Sequence, residues 1–146
     1  MNAKRIKVAV TRQLPEPVET RLKELFDVKL SSSHMPMPTT QILDIVKDFD
    51  VLVPTIGDRI DSHVIQNSGK KLSLIANYGA GFDHIDVLFA NSKNITVTNT
   101  PNVLTEDTAD MAMALILSVP RRIKEGVKKL QDDDWDGWAP NALLGH

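Results

Sequence analysis

The sequence predicts an α/β fold: a doubly wound parallel sheet, flavodoxin-like in its strand order 2-1-3-4-5, followed by a long crossover helix. Short apolar runs at 6–10, 28–30, 51–53, 72–78 and 95–97 alternate with helix-length segments. Most are rich in Val, Ile and Leu, as strands buried on both faces are. Each connection is long enough for a right-handed crossover, which lays helices on both sides of the sheet. A chain of 146 residues can enclose such a core, because a domain near that size buries roughly 68–70% of its unfolded surface.

Taken in order, Ile6, Val8 and Val10 read as the first strand, and Pro15 and Pro17 open a helix with Val18, Leu22, Leu25 and Phe26 on one face. Val28 and Leu30 form a second strand, and the Ser- and Pro-bearing stretch 31–38 is a loop. Thr39 or Thr40 caps the next helix, whose apolar face is Ile42, Leu43, Ile45, Val46 and Phe49. The third strand, 51–53, leads through a loop at 54–59 to a short helix containing Ile60, Val64 and Ile65. The fourth strand is 72–78; Ile85, Val87, Leu88 and Phe89 give the face of the following helix, and 95–97 is the fifth strand.

The character changes after Pro101. Thr105 is placed to cap a helix with Glu106 and Asp107 in its first turn, and 109–119 is apolar almost all round, which demands cover on every side. Pro120 breaks that helix, and 121–131 is basic and amphipathic. Asp132, Asp133 and Asp134 read as a solvated helix end and not as a metal site, since metal carboxylates converge from separated positions. Trp135 and Trp138 sit in a polar loop, where tryptophans anchor to a surface or a partner. Two parts are therefore expected, 1–100 and 101–146.

Composition narrows the classes of function. A formal charge of −2 gives no field that would draw nucleic acid or an anionic membrane. Without cysteine there is no disulfide framework, thiolate nucleophile or cysteine zinc site. Lys4 and Arg5 run directly into the first strand with no signal-peptide segment, and 109–119 is too short to span a bilayer. A cytoplasmic location is expected.

Chemistry concentrates at 77–86, Asn-Tyr-Gly-Ala-Gly-Phe-Asp-His-Ile-Asp, between the fourth strand and its helix. Such a corner lies at the carboxyl end of a parallel strand, where ligands bind. Gly79 and Gly81 leave backbone amides uncovered, and bare amides near a helix start attract a carboxylate or phosphate. The competing reading is a tight βα turn with no ligand. Gly79-x-Gly81-x-x-His84 falls short of a dinucleotide fingerprint, because His84 stands where a third glycine is needed. A flavin-phosphate carrier would want a Ser/Thr/Gly-rich loop after the first strand, and Thr11-Arg12-Gln13-Leu14-Pro15 is poor in those residues.

Four motifs in order carry a resemblance: the 77–86 corner, Val97-Thr98-Asn99-Thr100-Pro101, Thr105-Glu106-Asp107-Thr108-Ala109-Asp110, and Trp135-Asp136-Gly137-Trp138-Ala139-Pro140. Together they closely resemble the NAD(P)-dependent D-isomer-specific 2-hydroxyacid dehydrogenases, with the tryptophan loop most like the glyoxylate and hydroxypyruvate reductase branch. The resemblance implies hydride transfer between NAD or NADP and C2 of a small 2-oxo or 2-hydroxy acid. It implies that the amides of Gly79, Ala80 and Gly81 hold the substrate carboxylate, that Thr108 lies near the nicotinamide, and that Trp138 reaches the substrate channel of a partner subunit. It also implies a homodimer built through 105–119. The family continues after a Leu-Leu-Gly stretch like 143–145 into its glycine fingerprint. Its catalytic arginine, glutamate and histidine lie beyond and match no residue here. The expectation is that the chain precedes the fingerprint, binds no cofactor by itself and is inactive alone. A non-catalytic carboxylate-binding module is the alternative. His84 is expected to fold the corner and not to transfer a proton.

Overall fold

The computed structural model describes residues 5–135 and 137. Its elements are β1 (Lys7–Val10), α1 (Glu16–Leu25), β2 (Asp27–Lys29), α2 (Thr39–Ile45), β3 (Val51–Val53), α3 (Ser62–Gln66), β4 (Leu74–Ala76), α4 (Val87–Ser92), β5 (Thr96–Thr98), α5 (Thr105–Ser118) and α6 (Ile123–Gln131). The strands form a five-stranded sheet in the expected order β2-β1-β3-β4-β5, and every pairing is parallel. The chain divides into two compact units, Met1–Asn102 and Val103–His146.

In the first unit the strands turn alternate side chains to opposite faces. Ala9, Leu52 and Ile75 join Ile42, Ile45, Val46, Val64, Ile65 and Ala90 in one buried cluster, to which α2, α3 and α4 contribute. Val8, Val10 and Val53 join Leu14, with Val18, Leu22 and Phe26 of the α1 region packed against them. The sheet is thus covered on both faces, which is why its strands read as continuous apolar runs.

Local chemistry sets the helix ends, not always as the sequence suggests. Pro38 takes the N-cap position of α2, so Thr39 and Thr40 lie inside the helix and no side chain caps it. Ile60 precedes α3, in an isolated bridge with Ile85. Asp61 caps α3 by accepting from Val64 N at 3.0 Å. Asp86 does the same for α4, accepting from Phe89 N at 2.9 Å. At Gly69 the amide donates to Val46 O at 2.9 Å. The Lys47 backbone lies so close there that a Cβ on Gly69 would overlap its carbonyl.

In the second unit Leu104 occupies the N-cap position, so Thr105 is the first helical residue of α5 and caps nothing. Pro120 lacks the amide that would continue the helix, and α5 ends at Ser118. Arg122, at φ 52, then turns the chain through the left-handed region into α6. No residue of α5 is buried. Met111, Met113, Leu115, Ile116 and Leu117 are all more than half exposed, so the cover expected for this apolar helix is not supplied by the described residues. Asp132 and Asp134 close the end of α6 by pairing with Lys128 and Lys129.

Replacing Asp61 by Ala should lower stability by about 1 kcal/mol, the usual effect of losing an N-cap acceptor. Asp61→Asn should retain most of it. Urea unfolding of the three proteins measures the difference.

Candidate functional site

β4 delivers its carboxyl end to the corner in a fixed register. Asn77 N donates to Thr98 O at 2.8 Å, and Tyr78 N donates to Pro54 O at 2.9 Å. The chain then leaves the sheet at Gly79 with its carbonyls already engaged. Asn77, 3% exposed, donates through Nδ2 to Gly79 O at 3.1 Å and to Gly81 O at 2.8 Å. Asn99, just beyond β5, donates to Ala80 O at 2.8 Å. Thr100 N adds a second bond to Gly79 O at 3.0 Å.

The amides of Gly79, Ala80 and Gly81, by contrast, meet no acceptor among the described residues. Neither glycine adopts the left-handed region; among the described residues the glycines that do are Gly57 and Gly137. A Cβ at Gly79 would make ordinary contacts with Asn77 and Gly81 O, and one at Gly81 would meet nothing within 4 Å. The fold of the described residues therefore does not itself demand glycine at 81.

The helix contribution to anion binding is corrected by the structure. α4 begins only at Val87, and Asp86 already accepts from one of its first amides. A carboxylate that satisfies a helix N-terminus leaves little there for a ligand, and the uncovered donors of the corner are those of its loop.

His84 serves the fold of the corner, as expected. Its Nε2 lies 3.1 Å from Asn77 Oδ1. Because the Asn77 nitrogen is committed to two carbonyl oxygens, Oδ1 must be the atom facing His84, so Nε2 carries a proton. The backbone is fastened as well: Ile60 N donates to His84 O, and Asp86 N to Ile60 O, both at 3.0 Å. Burial pushes the His84 pKa below its ordinary 6.5, opposed by the charges of Asp58 and Asp83.

Asp58 does not stand out in the sequence, yet it organises the adjoining loops. Fully buried, it accepts through Oδ2 from Thr11 Oγ1 at 2.6 Å, from Thr55 N at 2.7 Å and from Thr55 Oγ1 at 3.2 Å. Its Oδ1 accepts from Met37 N at 3.0 Å. Beside it Arg12 donates to Ile56 O at 2.8 Å. The one sequence signal is Gly57, whose φ of 98 marks a tight turn that aims the next side chain inward.

Two expected residues remain. Thr108 lies on α5 in the second unit, its amide donating to Leu104 O at 2.9 Å. Trp138 lies outside the described residues.

Residues 8–139 match the catalytic domain of the D-isomer specific 2-hydroxyacid dehydrogenases. The chain belongs to that family. A glyoxylate reductase of Pyrococcus furiosus is 40% identical over 144 residues, which are 96% of this chain and 43% of the relative. A solved protein of Thermus thermophilus aligns with a TM-score of 0.85 at 40% identity, over 96% of this chain and 45% of that one. An NADPH-dependent glyoxylate/hydroxypyruvate reductase of Sinorhizobium meliloti, solved with NADP and malonate, aligns with a TM-score of 0.76 at 26% identity, over 97% of this chain and 42% of that one. The chain thus spans less than half the length of these relatives.

Membership in the 2-hydroxyacid dehydrogenase family implies a nicotinamide cofactor, and the described residues do not form a cradle for its pyrophosphate. At the corner His84 fills the place of the third glycine and is held by Asn77. At α5 the first turn carries Glu106 and Asp107, which repel phosphate.

The His84 shift has a testable sign. Above pH 6.5 the imidazole is neutral in both states. As pH falls through 6.5 the unfolded chain takes up a proton before the folded one does, so stability declines until the lower folded pKa is reached and then levels off. Unfolding midpoints measured from pH 7.5 to 5 should show this slope in the parent chain, and a smaller one in His84→Gln.

Proposed function

We propose that the chain is the substrate-binding part of an oxidoreductase that moves a hydride between NAD(P)H and C2 of a 2-oxo acid of the glyoxylate or hydroxypyruvate type. In this reading the amides of Gly79, Ala80 and Gly81 hold the substrate carboxylate. The observation that carries it is Gly81: its backbone needs no glycine, its neighbourhood is open, and its amide has no acceptor among the described residues. Glycine there makes sense if a ligand must approach the backbone closely. A turn that needed glycine for its conformation would put it in the left-handed region, so the plain-turn reading lacks support at this residue.

The names of the relatives support the substrate class. Glyoxylate reductases match nearly the whole chain at about 40% identity, and the Sinorhizobium meliloti enzyme was solved with malonate, a carboxylate. Thr108 is assigned to the nicotinamide side and Trp138 to the substrate channel of a partner subunit. The apolar surface of α5 supports a homodimer through 105–119, since each 100 Å² covered contributes about 2.5 kcal/mol. Among the described residues no helix is long and apolar enough to cross a membrane.

Titrating glyoxylate into the labelled chain, with chloride at equal ionic strength as control, should shift the amides of Gly79, Ala80 and Gly81 with a millimolar Kd, about −4 kcal/mol. Shifts confined to other residues would place the carboxylate elsewhere. Gly81→Ala should leave stability unchanged or raise it by about 0.4–1 kcal/mol while weakening glyoxylate binding roughly tenfold, about 1.4 kcal/mol. Loss of stability with binding retained would return Gly81 to the role of a turn residue.

Sedimentation velocity at micromolar concentration should show a dimer. Replacing Leu115 and Ile116 with Gln and Lys should shift it toward monomer without unfolding the first unit.

A further inference from the structure

We infer that Asn77, braced by His84, is the positioning residue that fixes the direction of the Ala80 amide in the carboxylate-binding corner, and that Asn99 does the same for the amide of Gly81. This rests on the proposed role of the corner and goes beyond it, because neither asparagine would touch the substrate.

Planarity of the peptide bond couples each carbonyl to the amide that follows it. In a trans peptide the N–H of one residue points opposite to the C=O of the residue before it, and the described backbone contains no cis peptide bond. A group that holds a carbonyl therefore also aims the next amide. Asn77 Nδ2 and Thr100 N hold Gly79 O, which turns the amide of Ala80 away from them. Asn99 holds Ala80 O and so aims the amide of Gly81. Asn77 holds Gly81 O and aims the amide of Phe82. Consecutive peptides are fixed from behind, and their donors are presented on the opposite side without an acceptor among the described residues.

Glycine-bearing loops otherwise flip individual peptides at little energetic cost, and a flipped peptide at Gly79–Ala80 would present a carbonyl oxygen to an incoming anion. Asn77 opposes that flip, because a buried side-chain amide would lose a bond it cannot replace with water. His84 sets which end of the Asn77 amide faces the loop. Its Nε2–H satisfies Oδ1, so the alternative orientation would place an N–H against an N–H while pointing oxygen at oxygen. His84 is thus a brace with a defined polarity, and any side chain that donates from the Nε2 position can replace it.

The test uses the whole 146-residue chain with glyoxylate as probe. Kd is read from the amide shifts of Ala80 and Gly81, and the amides of Ile75 and Val97 report on the sheet. His84→Leu and Asn77→Ser should each weaken binding at least tenfold, with sheet amides unmoved and those of residues 79–82 broadened by exchange before ligand is added. His84→Gln, which keeps a donor for Oδ1, should bind within about threefold of the parent. Parent-like affinity in both His84→Leu and Asn77→Ser would overturn the positioning role while leaving the corner as the carboxylate site. If glyoxylate fails to move these amides in the parent chain, the site assignment itself falls, and the inference with it. Weak binding in His84→Gln, or unfolding of every variant except Gln, would also overturn it, because the pair would then serve the fold alone.

Discussion

The Asp58 carboxylate is the constraint on which the edge of the sheet at the carboxyl ends of its strands depends. Burying a carboxylate is costly unless its lone pairs are satisfied, and Asp58 is satisfied by donors from three different connections. Thr11 follows β1, Met37 lies in the loop after β2, and Thr55 follows β3. Loops that leave neighbouring parallel strands have no reason of their own to stay together. A shared acceptor gathers them, because releasing any one leaves a buried oxygen short of a donor.

That gathered edge is continuous with the corner. Two residues after Asp58, Ile60 bonds the backbone of His84 and Asp86, and the charge of Asp58 reaches the His84 imidazole. His84 braces Asn77, and Asn77 holds the loop. The same edge thus holds two kinds of polar centre. One is a carboxylate whose two oxygens accept from the fold itself, and the other is a set of donors without an acceptor among the described residues. Strand order brings them side by side, since β3 and β4 are neighbours in the sheet.

The sheet was legible in the sequence because its signal is redundant: each strand repeats the same apolar message, and the order follows from chain connectivity and handedness. Strand limits shifted by a residue or two, as when Ile95 proved buried but outside β5. Helix starts were less legible. A threonine near a boundary competes with its neighbours for the cap, and Pro38 and Leu104 took the positions assigned to Thr39 or Thr40 and to Thr105. At the corner the glycines announced uncovered amides, but the asparagines that aim them did not stand out. Asn77 and Asn99 lie 22 positions apart and meet the same loop only because β4 and β5 pair in register. Asp58 was hidden for the same reason, since its donors come from chain segments joined only by the fold.

Gly69 shows how narrowly the sequence can drift even far from the corner. The obstacle to a side chain there is the Lys47 backbone, not a flexible neighbour that could swing aside. The smallest substitution, alanine, would have to push the end of α2 off the turn that follows α3, opening the layer around Val46 and Ile65. A homologous chain that carried any other residue at this position would need a differently spaced α2–α3 pair. Gly69 therefore marks the spacing of two helices, and its exchange elsewhere would signal a rebuilt helical layer before it signalled a new substrate.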